Sequence, residues 1–92
     1  MPKLFSLYGY IVYFWSNENT PNEPIHIHIA KGKPTKDANK YWLAKGGYFV
    51  PDKTNIPNRE ELKVIDEISD EISIQRIKNE WKAMFGEIRY FS

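Results

Sequence analysis

The two histidines of this sequence, His26 and His28, carry its clearest potential for chemistry. Isoleucine and histidine alternate through residues 25–29, and such alternation is typical of a β-strand with one apolar face. Residues two apart on a strand point to the same side, with Cβ atoms roughly 7 Å apart. Both imidazoles can therefore act on one ligand. Imidazole is the side chain that titrates near neutral pH and also the commonest metal ligand.

Three roles are open for this histidine pair. The rings can be structural, hydrogen-bonded to backbone and to the loop carboxylate of Glu18, because buried polar groups normally have partners. They can act with Lys40 as the acid, base and cation of an RNase-type or other phosphate-directed reaction. They can also ligate a metal, although a catalytic zinc needs at least three protein ligands and only His26 and His28 are evident.

Five residues follow as candidates for the functional site. His26, His28 and Lys40 are the candidate catalytic residues, and the two histidines are the candidate metal ligands, with no metal assigned. His26, His28, Glu18 and Trp42 are the candidate binding residues. We expect no cofactor.

The composition limits the remaining chemistry. The chain has no cysteine, which excludes disulfides, thiolate metal sites and a cysteine nucleophile. The net charge is only +1, but residues 31–53 carry six lysines against two aspartates, whereas residues 58–87 have a net charge of −3. The basic middle is either solvated loop surface or a surface for a polyanion or an acidic partner.

Apolar periodicity changes near residue 57, from about two residues before it to about 3.6 after it. Strands are predicted at residues 4–8, 10–15, 25–29, 39–43 and 48–50. Asn58 is a predicted helix N-cap with Glu61 at capping-box spacing. The stripe of Leu62, Ile65, Ile68 and Ile72 shifts phase to Ile74, Ile77, Trp81 and Phe85, which predicts either a kink or two helices.

The predicted fold class is α+β: an antiparallel β-meander of three to five strands, followed by one kinked or two C-terminal helices packed on one face. We expect a single domain over residues 1–92, β-rich at about 3–53 and helical at about 58–86. Trp42, Trp81 and Phe85 are expected in the core. No apolar stretch reaches about 20 residues and no signal-peptide pattern is present, so we expect no membrane span and a cytoplasmic protein.

Four sequence blocks together resemble the prokaryotic family called domain of unknown function 4160. The blocks are residues 14–18, 23–29, 38–43 and 81–86, and the likeness covers the chain from about Phe5 to Gly86. The family's hallmark is His-x-His, commonly preceded by paired prolines and by a loop with acidic and histidine residues. Here that loop has Glu18 and no third histidine, a departure that weakens a three-histidine metal site.

The resemblance also bears on partners. Members are small bacterial single domains, often encoded beside a second small family of unknown function, number 2442, and a toxin–antitoxin role has been suggested from this gene context. It therefore implies a small protein partner encoded nearby and makes RNA a second candidate partner. Our preferred hypothesis is a non-enzymatic protein-interaction module, one component of a toxin–antitoxin-like pair. The alternatives are a phosphate-directed enzyme using the His26 and His28 face, and a metal-binding protein.

Overall fold

A five-stranded antiparallel sheet forms the first half of the protein. The computed structural model describes residues 3–16 and 23–91. The strands are β1 (Lys3–Leu7), β2 (Tyr10–Tyr13), β3 (His26–Lys31), β4 (Asn39–Leu43) and β5 (Phe49–Pro51). They lie in the order β1-β2-β3-β4-β5, each antiparallel to its neighbours. The predicted meander is confirmed, at the upper end of the predicted number of strands.

The histidines and the isoleucines of β3 lie on opposite faces of the sheet, and the register sets their neighbours on β2 and β4. His26 lies opposite Trp42, and His28 lies between Tyr13 on β2 and Lys40 on β4. Side chains alternate between the two faces of a strand, so these residues share one face. We call it the histidine face.

Two helices follow the sheet, α1 (Arg59–Glu67) and α2 (Glu71–Phe85). The phase shift in the apolar stripe is therefore a break between helices. Asp70 caps α2 by accepting a hydrogen bond from the Ser73 backbone N–H at 2.8 Å. Gly86 ends α2 with φ of 86°, a left-handed conformation that suits glycine.

The start of α1 confirms one half of the predicted capping box. The Asn58 side chain accepts hydrogen bonds from the backbone N–H groups of Glu60 (2.9 Å) and Glu61 (3.4 Å). The Glu61 side chain was expected to turn back toward Asn58. Instead it accepts hydrogen bonds from Asn39 and Tyr41 on β4. Because these two side chains of the sheet bind the Glu61 carboxylate, it does not form the second half of the capping box.

The core lies between the isoleucine face of the sheet and the helices. Ile25, Ile27 and Ile29 are buried here, and each such side chain contributes about 1.5–3 kcal/mol on leaving water. The helices contribute Val64, Ile68, Ile74, Ile77 and Trp81. Two members of the predicted stripe lie outside the core. Leu62 is 58% exposed and Ile72 is 84% exposed, because α1 turns Val64 to the sheet and Ile72 belongs to the first turn of α2.

The C-terminal segment completes one end of the sheet without forming a strand. The carbonyl of Arg89 accepts a hydrogen bond from the Ile25 N–H at 2.8 Å. Among the residues described, no helix is long and apolar enough to cross a membrane.

Candidate functional site

His26 is enclosed by other rings. It is fully buried, and its Nδ1 donates a 2.9 Å hydrogen bond to the carbonyl of Pro24. Its ring centroid lies 5.1 Å from that of Trp81, 5.2 Å from Trp42 and 5.3 Å from His28. The contacts with Trp81 and Trp42 are edge-on, an arrangement that favours aromatic packing. A ligand could reach the His26 imidazole only if this packing opened.

His28 is the more accessible of the pair. It is 7% exposed, packs its ring 5.6 Å from that of Tyr13, and lines a cavity of about 430 Å³. Lys36, Lys40 and Asn55 line the same cavity. The structure thus brings together the predicted pair of His28 and Lys40, in the adjacent register position, and adds a lysine that the strand pattern did not select.

Lys40 already has a counter-charge. Its Nζ lies 3.2 Å from Glu23 Oε1 and 4.1 Å from the centroid of the Trp42 ring. A cation above an aromatic face is attracted to it, and the carboxylate adds an ion pair. Lys40 therefore offers less net positive charge to a ligand than a solvated lysine would.

Trp42 lies on the histidine face and is only partly buried, so the expectation that it belongs to the core is wrong. Its ring stacks on Phe91 at 5.3 Å, and its Nε1 donates a 3.1 Å hydrogen bond to Asp52. Hydrogen bonds from Thr54 lower the pKa of Asp52, and the bond from Trp42 adds to this effect. Phe91 of the C-terminal segment thus covers part of the Trp42 ring and remains 46% exposed itself.

Two predictions for the site remain: the role of Glu18 and the metal site. Glu18, expected to orient the histidines, lies outside the described residues. Within residues 3–16 and 23–91, no group of three or more histidine, cysteine, aspartate or glutamate side chains is arranged to hold a metal. His26 and His28 are adjacent, as the spacing predicts, but no third such side chain of the described part joins them.

A second polar site, around Glu61, was missed by the sequence reasoning. Glu61 is 6% exposed, and its Oε1 accepts hydrogen bonds from Asn39 Nδ2 and from the Tyr41 hydroxyl, both at 2.9 Å. Burial and the bond to Glu61 raise the pKa of Tyr41. The sequence offers one signal for this site, the glutamate at the third position of the predicted helix. A capping box already explains a glutamate at that position.

Two cavities meet beside Glu61. The first, which we call the β5–α1 cleft, has a volume of about 580 Å³ and is largely apolar. Its apolar lining consists of Tyr41, Pro51, Ile56, Pro57 and Leu62. The second, the Glu61 cavity, has a volume of about 290 Å³ and is lined by Glu61 together with Asp37, Asn39 and Thr35, among others. Residues 56–58 line both.

The architecture and the histidine face define a small α+β domain in which a five-stranded antiparallel meander carries a His-x-His strand at its centre. The sequence model of the family described as "Domain of unknown function (DUF4160)" matches residues 9–82, and the chain belongs to that family. This confirms the family resemblance found from the four sequence blocks. No curated protein and no solved structure matches the chain.

Proposed function

We propose that this protein is a non-enzymatic protein-interaction module that receives a partner protein at the β5–α1 cleft. The observation that carries the proposal is the clustering of exposed apolar side chains there: Ile56 is 76% exposed and Leu62 is 58% exposed, both on one cleft. Single exposed apolar residues are ordinary on protein surfaces, but a concave cluster of them is typical of a binding site.

The lining of the cleft suits a protein segment. Pro51 and Pro57 give it rigid walls, since proline has a fixed φ, and Asp52 and Arg59 provide polar groups among the lining residues. An apolar centre with a polar rim is the usual arrangement of a protein interface. The partner we propose is a small protein bearing an exposed apolar side chain, and the family's gene context suggests a pair of toxin–antitoxin type.

The burial of His26 supports a non-enzymatic role. An acid–base pair must bring both groups within about 2.6–3.2 Å of the atoms between which it moves protons. The His26 ring is fully buried among Trp42, Trp81 and His28, and its Nδ1 is engaged by Pro24. Its part in the molecule is best explained as packing.

The test is capture of the partner from the native host, with bound proteins identified by mass spectrometry. The baits are the wild-type protein, the double variant Ile56→Asp/Leu62→Asp, and the control variant Ile72→Asp. Ile72 is 84% exposed but lies on α2, away from the cleft. We expect one identified protein with the wild type and with Ile72→Asp, and its loss with the double variant. Equal recovery with all three baits would refute the assignment of the cleft.

A second candidate function is a phosphate-directed one at the cavity of His28. The observation that favours it is the presence of His28, Lys36 and Lys40 around one cavity, whose lining also includes the acidic Asp37. In this version His28 serves as the acid–base group, the lysines supply the cation, and His26 supports the ring of His28.

This candidate predicts binding or cleavage of RNA that depends on His28. Labelled RNA incubated with wild-type protein over a series of pH values should be cleaved or retained, and His28→Gln should abolish the effect. Lys45→Gln, at a lysine that does not line this cavity, is the matched control. RNA left intact and unbound at high protein concentration rules this function out.

A further inference from the structure

Only one oxygen of the Glu61 carboxylate forms hydrogen bonds with the described residues. Both hydrogen bonds that it accepts, from Asn39 and Tyr41, fall on Oε1. Within residues 3–16 and 23–91, no donor bonds to Oε2 and no lysine or arginine forms an ion pair with Glu61. Oε2 is not one of the buried side-chain atoms of these residues that lack a partner, so it keeps contact with solvent and is accessible to a ligand.

Glu61 also borders a cavity. Glu61 lines the cavity of about 290 Å³, and its lining includes a second acidic residue, Asp37, as well as Thr35 and Asn58. Lys31 is the only basic residue among its described lining, against two acids. The cavity is therefore a net acceptor of positive charge and hydrogen-bond donors, and its volume is near the lower end of the range for ligand pockets, roughly 300–1,000 Å³.

The chemistry of this lining favours an organic cation over a metal ion. Calcium takes six to eight oxygen ligands, and magnesium requires close to octahedral geometry. Among the described residues no group of three metal-binding side chains is present. A guanidinium or ammonium group needs only one or two carboxylate oxygens and can be held partly by neutral acceptors.

The position of the cavity indicates where such a cation comes from. Ile56, Pro57 and Asn58 line both the Glu61 cavity and the β5–α1 cleft. One occupant can therefore place an apolar group on one side of this segment and a cationic group on the other. A protein segment with a basic residue near an apolar one has this pair of groups.

We propose that the Glu61 cavity binds the arginine or lysine side chain of a protein partner, with the free oxygen of Glu61 as its acceptor. This inference rests on the proposed function, because it names the chemistry of the partner that occupies the adjoining cleft. Arginine fits best, since its planar guanidinium presents five N–H donors to a cavity whose lining includes the two acids Glu61 and Asp37.

The first experiment needs no partner. N-acetyl-arginine methylamide is titrated into ¹⁵N-labelled protein, and the citrulline derivative, which is neutral and nearly the same shape, serves as the control probe. We expect saturable shifts of the backbone signals of Asn39, Asn58 and Glu61, with a dissociation constant on the order of millimolar, as befits one side chain. Citrulline should give no saturable shift.

Two variants make this titration specific. Glu61→Gln retains the side-chain shape and an oxygen that accepts from Tyr41, and removes the charge. Asp66→Asn removes an exposed carboxylate elsewhere on α1. Arginine binding should be lost in Glu61→Gln and unchanged in Asp66→Asn. Equal binding in wild type and Glu61→Gln, equal shifts with citrulline, or saturable binding of Mg²⁺ or Ca²⁺ in place of arginine would each overturn the proposal.

The second experiment separates this inference from the proposed function. Partner capture is repeated with Glu61→Gln beside Ile56→Asp/Leu62→Asp. Loss of the partner in both supports the inference. If only the apolar double variant loses the partner, the cleft is an interface and the basic side chain in the Glu61 cavity is refuted. If arginine binds but capture is equal with all baits, the cation site stands and the protein partner at the cleft is refuted.

Discussion

His26 and Glu61 are both ionisable side chains in buried positions, but their surroundings differ. His26 is packed on its ring edges and faces by aromatic groups and bonds to the backbone of Pro24, two residues away. Glu61 connects α1 to β4 through hydrogen bonds from Asn39 and Tyr41, which lie 22 and 20 residues away in the sequence. It also lines a cavity. The His26 ring is enclosed by its neighbours, whereas Glu61 has one carboxylate oxygen that forms no hydrogen bond with the described residues.

This difference shows that burial alone does not identify a functional group. The more conspicuous motif of the sequence, His-x-His, supplies one ring to packing and presents only His28 to a cavity. The less conspicuous Glu61 lies where α1 meets β4, and it lines a cavity there. Each prediction below tests whether the two regions really differ in this way.

The largest effect is expected for His26→Ala. Removal of a fully buried ring that contacts Trp42 and Trp81 leaves a cavity among aromatic groups, so the free energy of unfolding should fall by about 2–4 kcal/mol. Urea denaturation followed by tryptophan fluorescence measures it. His28→Ala should lower the free energy of unfolding by only about half as much, since His28 borders a cavity.

The outcome for the two histidine variants decides the first half of the comparison. Equal destabilisation would mean that His28 is packed as tightly as His26. A stable His26→Ala protein would contradict the assignment of His26 to packing and return it to the list of candidate catalytic residues.

The fold was largely predictable because it depends on local patterns. Alternation at residues 25–29, the strand at Asn39–Leu43 and the Asn58 cap each follow from a few neighbouring residues, and the structure confirms them. Trp42 was misassigned because neither face of β4 is polar enough to mark the solvent side. Contacts between residues distant in sequence decide which face of the sheet the helices cover. The stacking of Phe91 on Trp42, on the opposite face, is one such contact.

A second effect, of intermediate size, is expected for Tyr41→Phe. The change removes one of the two donors to Glu61 Oε1 and leaves a buried carboxylate with Asn39 alone, which should lower the free energy of unfolding by about 1–2 kcal/mol. The matched control is Tyr10→Phe. Tyr10 is also buried, but its hydroxyl only accepts a long 3.4 Å hydrogen bond from Asn58. Equal losses in the two variants would show that the bond to Glu61 has no special weight.

The candidate site was less predictable than the fold for the same physical reason. The adjacency of His26, His28 and Lys40 follows from strand spacing plus one register, so it was within reach of the sequence. The Glu61 site needs the packing of α1 against β4, which joins residues 20 and 22 positions apart. Capping-box spacing gave Glu61 a local explanation, and only the tertiary structure shows that its side chain is used elsewhere.

The smallest effect is expected at alkaline pH and tests the buried environment of Tyr41, including its hydrogen bond to Glu61. Burial and the hydrogen bond to Glu61 raise the pKa of Tyr41 in the folded protein above its usual value of about 10. Below about pH 10 both the folded and the unfolded chain keep this proton. Above it, the unfolded chain loses the proton first, so the free energy of unfolding of the wild type should fall as the pH rises.

Tyr41→Phe lacks this group, and the stability advantage of the wild type over the variant should therefore shrink as the pH rises above about 10. The exposed Tyr8, whose pKa is raised by its hydrogen bond to Glu67, is present in both proteins, so its contribution cancels in the difference. Urea denaturation at each pH gives the difference directly. An advantage that stays constant up to about pH 11 would mean that neither burial nor the hydrogen bond to Glu61 raises the pKa of Tyr41, and it would contradict the buried contact by which Glu61 differs from His26.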